Sequence, residues 1–419
     1  CKFRENDKGP PWELRAKRIR HDSTKKTIFY DSATLKIYDF PIFYFPKLSH
    51  PDPTVDRRSG FLPPTSTNSK NLGSGVFVPY FFDLGLDKNL VITNRIYATE
   101  HPLFLGEFHQ ALNNANLFAD FGYTEGYKKT TSKKKEGNKS HFFGKFEKNF
   151  IGKNNSNNNL TLNLQDVSND KYLKLYKIES NLVNFTRDTL ENSIDFTHEK
   201  DDLFLKIDAS VYETMKEGYN DKYEYILPEI IFNKNLFNND TLGNLDLETN
   251  FKVHNYDTNR LTSFVVNDFN WSSKDIFLDS GLKTQFLGNL KNINYEAKNV
   301  DIYKDDTTNE LFGAFGLATE MNLQKYNGDL KHILKPKLLL RHSPGNMRKE
   351  TVSKRLDPLK AFSLNRLVNS YNYETGTSGT LGFEYKIDGP DRDFDFSVAQ
   401  VINQKENKKM NSKTGMDEK

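Results

Sequence analysis

Apolar and polar residues alternate along this chain in one long stretch after another, and that pattern leaves few folds open to it. Leu203, Leu205, Ile207, Ala209 and Val211 alternate with Phe204, Lys206, Asp208, Ser210 and Tyr212. Leu160, Leu162 and Leu164 alternate with Thr161, Asn163 and Gln165, and Leu245, Leu247, Thr249, Phe251 and Val253 with Asp246, Glu248, Asn250, Lys252 and His254. Leu381, Phe383, Tyr385 and Ile387 repeat the pattern late in the chain. Successive side chains of a strand point to opposite faces, so each stretch predicts a strand with one apolar and one wet face. The tracts GNKS, GKNNSNNN, NNDTLGN, DTNR and KDDTTNE fall between such stretches as turns. Long strands joined by short polar turns predict a meander of antiparallel hairpins. A soluble sandwich uses shorter strands and packs the apolar faces between two sheets. A large barrel in lipid turns the apolar side outward and the polar side toward its lumen. The pattern alone leaves both open.

Composition narrows the field without deciding it. The bias toward Phe (33) and Tyr (20) over Trp (2) suits strands. No run of roughly 18 apolar residues exists, so no transmembrane helix is expected; a transmembrane strand needs only about 9–11 residues with every second one apolar. A net charge of +3 over 419 residues gives no case for nucleic acid. The length permits two bodies or one large β-structure. The chain opens on Cys1 and closes on the polar run KENKKMNSKTGMDEK, and it is expected to be a fragment of a longer precursor. Cys1 is then either an unpaired thiol or half of a disulfide whose partner lies outside the fragment.

The stretch Ser49–Pro64, SHPDPTVDRRSGFLPP, interrupts the alternation with four prolines and two arginines. Proline has no backbone N–H to give to a ladder, so a proline-dense joint predicts a boundary between two β-bodies. Before it, WELRAKRIRHD, KKTIFYDSATLKIYD and PIFYFP predict three short strands, with a hairpin turn near Asp22, Ser23, Lys25 and Lys26. That is too little chain for a free-standing domain and reads as the end of a β-body. Within the joint, His50 next to Pro51 and Pro53 is expected to hydrogen-bond a bend rather than ligate. Arg57 and Arg58 either hold phosphate groups or face water at a barrel mouth. The lysine-rich tract 128–139 is expected to be a solvated loop, with contact to anionic lipid headgroups as its functional alternative. Residues 355–367 are expected as a helical turn or a loop packed into a lumen. No HExxH, no closely spaced His/Cys pair, no GxSxG elbow, no Walker loop and no dinucleotide fingerprint appears, so no catalytic residue, metal ligand or cofactor is expected.

The strings WELRAKRIRHD, PIFYFPKLSHPDPTVDRRSGFLPPT, GVFVPYFFDLG and KPKLLLRHSPGNMR resemble the LPS-assembly protein LptD family of Gram-negative outer membranes, the last in the form of its α-proteobacterial members. The resemblance is strong at residues 12–85 and 335–385 and weak between. It implies an all-β plan. Residues 1–48 would be the C-terminal end of a periplasmic β-jellyroll, and residues 49–419 the first, truncated part of a large antiparallel transmembrane β-barrel. It implies a transport protein rather than an enzyme, resident in the outer membrane with its N-terminal part in the periplasm. The implied partners are lipopolysaccharide (LPS), an LptE-like lipoprotein plug, an LptA-like jellyroll bridge, the barrel-assembly machinery and outer-membrane lipid. Pro64, in the first barrel strand, and Pro79, in the second, match the family's lateral-gate prolines, and Pro63 departs from a plain single proline there. His50, Pro51, Pro53, Arg57 and Arg58 fall in the domain joint. The family also implies that Cys1 is disulfide-bonded to a late barrel cysteine outside the fragment. Another outer-membrane channel, a porin or nutrient transporter, is the alternative, and a soluble adhesin or binding module a third class.

Overall fold

The structure is a computed structural model that describes residues 12–37, 40–52, 54–55, 57–128, 130, 136–216, 218, 221–390 and 393–417. It divides into two compact units, Cys1–Phe146 with Gln165–Arg187, and Glu147–Leu164 with Asp188–Lys419. Both are built almost wholly of antiparallel strands.

The first unit opens with β1 (Trp12–Asp22), β2 (Thr27–Ile37) and β3 (Phe40–Pro51), a three-stranded meander. The turn between β1 and β2 is closed by Lys25 N–H donating to the Asp22 carboxylate at 3.0 Å. A second sheet follows: β4 (Gly60–Phe61), β5 (Thr65–Ser69), β6 (Gly73–Gly85), β7 (Lys88–Tyr97), β8 (Leu103–Leu112) and β9 (Ala115–Thr124). Here β4 and β5 both pair with β6, and each later strand pairs with the one before it. Then come β10 (Lys139–Ile151) and β11 (Asn157–Val167), whose residues divide between the units, and a single helical turn, α1 (Tyr172–Tyr176).

The second unit continues with β12 (Thr189–Lys200), β13 (Leu203–Thr214), β14 (Tyr223–Asn239), β15 (Gly243–Tyr256), β16 (Arg260–Ser272), β17 (Ile276–Phe277) and β18 (Leu282–Lys298). After them run β19 (Thr308–Met321), β20 (Leu323–Asn327), β21 (Leu330–Ser343), β22 (Gly376–Asp388) and β23 (Asp393–Asn403). The hairpin order is kept from β11 through β23, the short β17 and β20 lying beside β18 and β21.

Register sorts the two faces of each sheet. Directly opposed residues share a face, and Phe251 opposes Val265 while Lys252 opposes Phe264. One face carries Leu245, Leu247, Phe251, Phe269 and Leu290, and Phe286, Leu290, Phe315, Leu340, Leu381 and Phe396 are exposed on it. The other face carries ion pairs, among them Lys206–Asp195 at 2.9 Å, Lys291–Asp268 at 3.1 Å and Lys252–Glu229 at 3.3 Å. The first unit repeats this, with Val76, Phe82, Ile96, Phe104 and Phe121 exposed on the apolar face. Large apolar side chains stay uncovered while charges pair on the opposite face, the reverse of a soluble sheet.

Loops cover parts of the charged face. Residues 168–187 fold onto it in the first unit and residues 344–375 in the second. Loop residues Leu364, Tyr371 and Tyr373 pack on Phe264, Val266, Ile293, Tyr295, Phe312 and Ala314.

Candidate functional site

Where the larger sheet of unit one begins in chain order, termed its first edge, the ladder to β6 is interrupted. Gly60 and Phe61 oppose Phe81 and Tyr80, whereas Thr65–Ser69 oppose Phe77–Gly73. Between these runs Leu62, Pro63 and Pro64 face only Val78 and Pro79, a one-residue excess that makes a bulge. Pro64 therefore sits in the break between β4 and β5 rather than inside a strand, and Pro79 sits inside β6 opposite Thr93. The Pro79 carbonyl accepts from Leu62 N–H at 3.0 Å. N–H and C=O of one strand residue point to the same neighbour. The Pro79 nitrogen, with no hydrogen, thus faces the break where Pro63 and Pro64 also lack donors. Both strands lose donors at the same height.

Below the break the joint is fastened to both sheets. Arg57 donates from Nη1 to the Leu86 carbonyl at 3.0 Å and from Nη2 to the Lys88 carbonyl at 2.9 Å. Its Nε lies 3.4 Å from Asp83 Oδ1, and its guanidinium sits 5.7 Å over the Phe81 ring. Asp83 N–H donates to Ser59 Oγ at 2.8 Å. Arg58 turns the other way, to Thr27 Oγ1 and, at 3.4 Å, the Lys25 carbonyl. Protein carbonyls thus hold the half-buried Arg57 guanidinium, whereas Arg58 donates from Nη1 and is otherwise exposed.

His50 shares its Nε2 with Tyr30 Oη at 2.6 Å and its Nδ1 with the Pro51 carbonyl at 2.6 Å. Asp52 pairs with His21 and takes Thr54 N–H at 2.8 Å. The Thr54 hydrogen bonds, aided by His21, hold the Asp52 carboxyl below its ordinary range. Pro51 ends β3. Pro53 and Cys1 lie outside the described residues, as do Lys129 and residues 131–135 of the lysine-rich tract. Lys139 of that tract is buried and donates to the Glu136 and Gly137 carbonyls.

Two buried clusters escape any reading of periodicity. In unit one, Arg95 donates to the Tyr176 carbonyl at 2.8 Å and lies 4.5 Å over Phe77. His141, wholly buried, bonds Asp120 at 2.8 Å and Tyr172 Oη at 3.3 Å. Burial pushes the Tyr172 and Tyr176 hydroxyls up, and Tyr127 to about 12. The only sequence trace is YLKLY, whose Tyr172, Leu173 and Tyr176 have helical spacing. In unit two, Glu374 takes Arg366 Nε at 2.8 Å and lies 3.5 Å from Arg341 Nη1, all three being buried. Burial alone raises a carboxyl, but the Arg366 hydrogen bonds and the charges of both arginines win and hold Glu374 below its usual range. Residues 355–367 contain one short turn, Lys360–Phe362, in an otherwise irregular segment. Among the described residues no group of three or more His, Cys, Asp or Glu could hold a metal ion.

No protein-family model matches the chain. It is 29% identical to the LPS-assembly protein LptD of Nitrosococcus oceani over 192 residues, 45% of this chain and 24% of that protein. It is 34% identical to the LptD of Psychrobacter arcticus over 105 residues, 25% of this chain and 11% of that protein. Over 213 residues it is 26% identical to the LptD of Legionella pneumophila strain Paris, 49% of this chain and 25% of that protein. The matches thus span about a quarter or less of these relatives. Fold and register define an all-β protein whose sheets expose their apolar face. The likenesses, drawn from separate bacteria, support the LptD family for this chain.

Proposed function

We propose that this chain is part of an outer-membrane β-barrel protein that assembles LPS at the cell surface, a transport protein rather than an enzyme. The exposed apolar face meets membrane lipid and the ion-paired face lines the interior. Residues 1–48 are the C-terminal end of a periplasmic jellyroll that takes LPS from an LptA-like bridge, and residues 49–419 are the first part of the barrel. An LptE-like lipoprotein fills the lumen, and the barrel-assembly machinery inserts the whole. The names of the relatives above do not favour the channel alternative.

The cargo joins acyl chains to a phosphorylated, sugar-rich head. Exposing the chains to water costs roughly 0.8 kcal/mol per CH₂, and dragging the head through hydrocarbon is also costly. A lateral gate avoids both, with the head in the polar interior and the chains slipping between strands into the bilayer. The gate lies between the first and last barrel strands. The observation that carries this reading is the break at Pro63, Pro64 and Pro79: with β5 held to β6 by only the short run Thr65–Ser69, the first strand is free to shift, which lets its seam with the last strand part. Each missing hydrogen bond is worth about 1 kcal/mol, and more where lipid offers no other partner. The double variant Pro64→Ala/Pro79→Ala, in the full-length protein, is expected to tighten this edge and slow LPS delivery, read as surface LPS and antibiotic permeability. Unchanged delivery would overturn the gate.

A further inference from the structure

Two segments leave the second unit at one end of its sheet, residues 344–375 after β21 and 404–417 after β23, and they fold together. Met347, Met410 and Met416 form a buried cluster between them. Glu350 N–H donates to the Lys409 carbonyl at 2.8 Å, Leu356 N–H to the Thr414 carbonyl at 3.2 Å, and Asn411 Nδ2 to the Thr351 carbonyl at 3.3 Å. The Arg366–Glu374–Arg341 cluster pins the first segment to the sheet.

The surface of this cap is strongly basic. Lys349, Lys354, Arg355 and Lys360 on the first segment and Lys405, Lys408, Lys409 and Lys413 on the second are exposed, against the exposed carboxylates Asp357 and Glu406. Among the described residues none of these eight cations stands in an ion pair. Lys354, Arg355 and Lys360 rim one hollow of about 40 Å³. Exposed Val352, Leu359 and Val368 lie among them. The outer face of the sheet also becomes mixed toward this end, where Asn292, Asn294 and Asn309 form a hydrogen-bonded ladder beside exposed Leu311. Cations interleaved with apolar side chains, above a sheet face that passes from apolar to mixed, suit the headgroup level of a bilayer.

We propose that this cap docks the phosphorylated headgroups of membrane lipids surrounding that end of the sheet. The proposal rests on the membrane reading above and adds a ligand class and named residues to it.

The test reconstitutes the full chain in nanodiscs of phosphatidylcholine mixed with a lipid carrying a phosphate monoester, and measures by mass spectrometry which lipid is retained on mild delipidation. The native chain is expected to retain the phosphorylated lipid preferentially. Lys354→Glu/Arg355→Glu/Lys360→Glu is expected to reduce that preference about a hundredfold. The neutral triple variant, with Gln at the same positions, is expected to reduce it less and guards against a misfolded charge-reversed cap. Lys325→Glu/Lys331→Glu, in the β20–β21 hairpin at the opposite end of the sheet, is expected to leave it intact. Equal retention in native and triple-Glu chains, an equal loss in the control, or displacement of the lipid by inorganic phosphate alone would overturn the proposal. A chain that stays dispersed without detergent and enters no nanodisc would refute the membrane reading itself, a separate outcome.

Discussion

The β15–β16 ladder and the ladder joining β4 and β5 to β6 use the same backbone chemistry and differ in continuity. Asn244–Tyr256 pair with Ser272–Arg260 without a register shift. At the first edge a two-residue run and a five-residue run are separated by a bulge where three prolines meet. A continuous ladder opens only by breaking many bonds together, whereas a divided one opens piecewise. The difference teaches that an element can belong to a large sheet and still be poised to leave it. Its freedom is bounded on one side, because Arg57 and Ser59 fasten the chain below the break.

The largest effect that would break this comparison lies in the covered second unit. Arg366→Ala leaves Glu374 buried with Arg341 alone, and a broken buried ion cluster costs about 3–5 kcal/mol. Residues 344–375 are then expected to become protease-sensitive while β15 and β16 keep their hydrogen-exchange protection. Acid offers a graded form of the same test. Glu374 is held below its ordinary value, so its contribution is fully present above the normal carboxylate range. It is lost as pH falls through the depressed value. Limited proteolysis across that acidic range should release this loop, and Glu374→Gln should remove most of the pH dependence.

Smaller effects sharpen the edge itself. Pro64→Ala and Pro79→Ala should each return up to about 1 kcal/mol, slowing amide exchange in Thr65–Ser69 about fivefold apiece. Arg57→Gln removes two charged hydrogen bonds to carbonyls, worth about 1–2 kcal/mol in all. It should extend fast exchange downward from Leu62 into Gly60 and Phe61, with β7 and β8 unchanged.

The period-two stretches made most of the strands legible, since Leu203–Val211 and Leu245–Val253 do lie on single faces of β13 and β15. The prolines were legible as missing donors, a property local to each residue, but Pro64 was expected inside the first strand and lies in the break between β4 and β5. What stayed hidden depends on residues far apart in the chain. Arg341, Arg366 and Glu374 carry no periodic signal, and nothing local pairs Arg95 with the Tyr176 carbonyl. Arg57 and Arg58 were legible as charges but not as fasteners, because their partners at Leu86, Lys88 and Thr27 are set by how the turns of two sheets meet the joint.

The central claim is that the first edge opens more readily than the rest of the wall. Hydrogen–deuterium exchange of the full-length protein in lipid nanodiscs compares Thr65–Ser69 with Asn244–Tyr256 directly. Exchange at the first edge faster by orders of magnitude is the predicted result, and comparable protection in the two segments would contradict it.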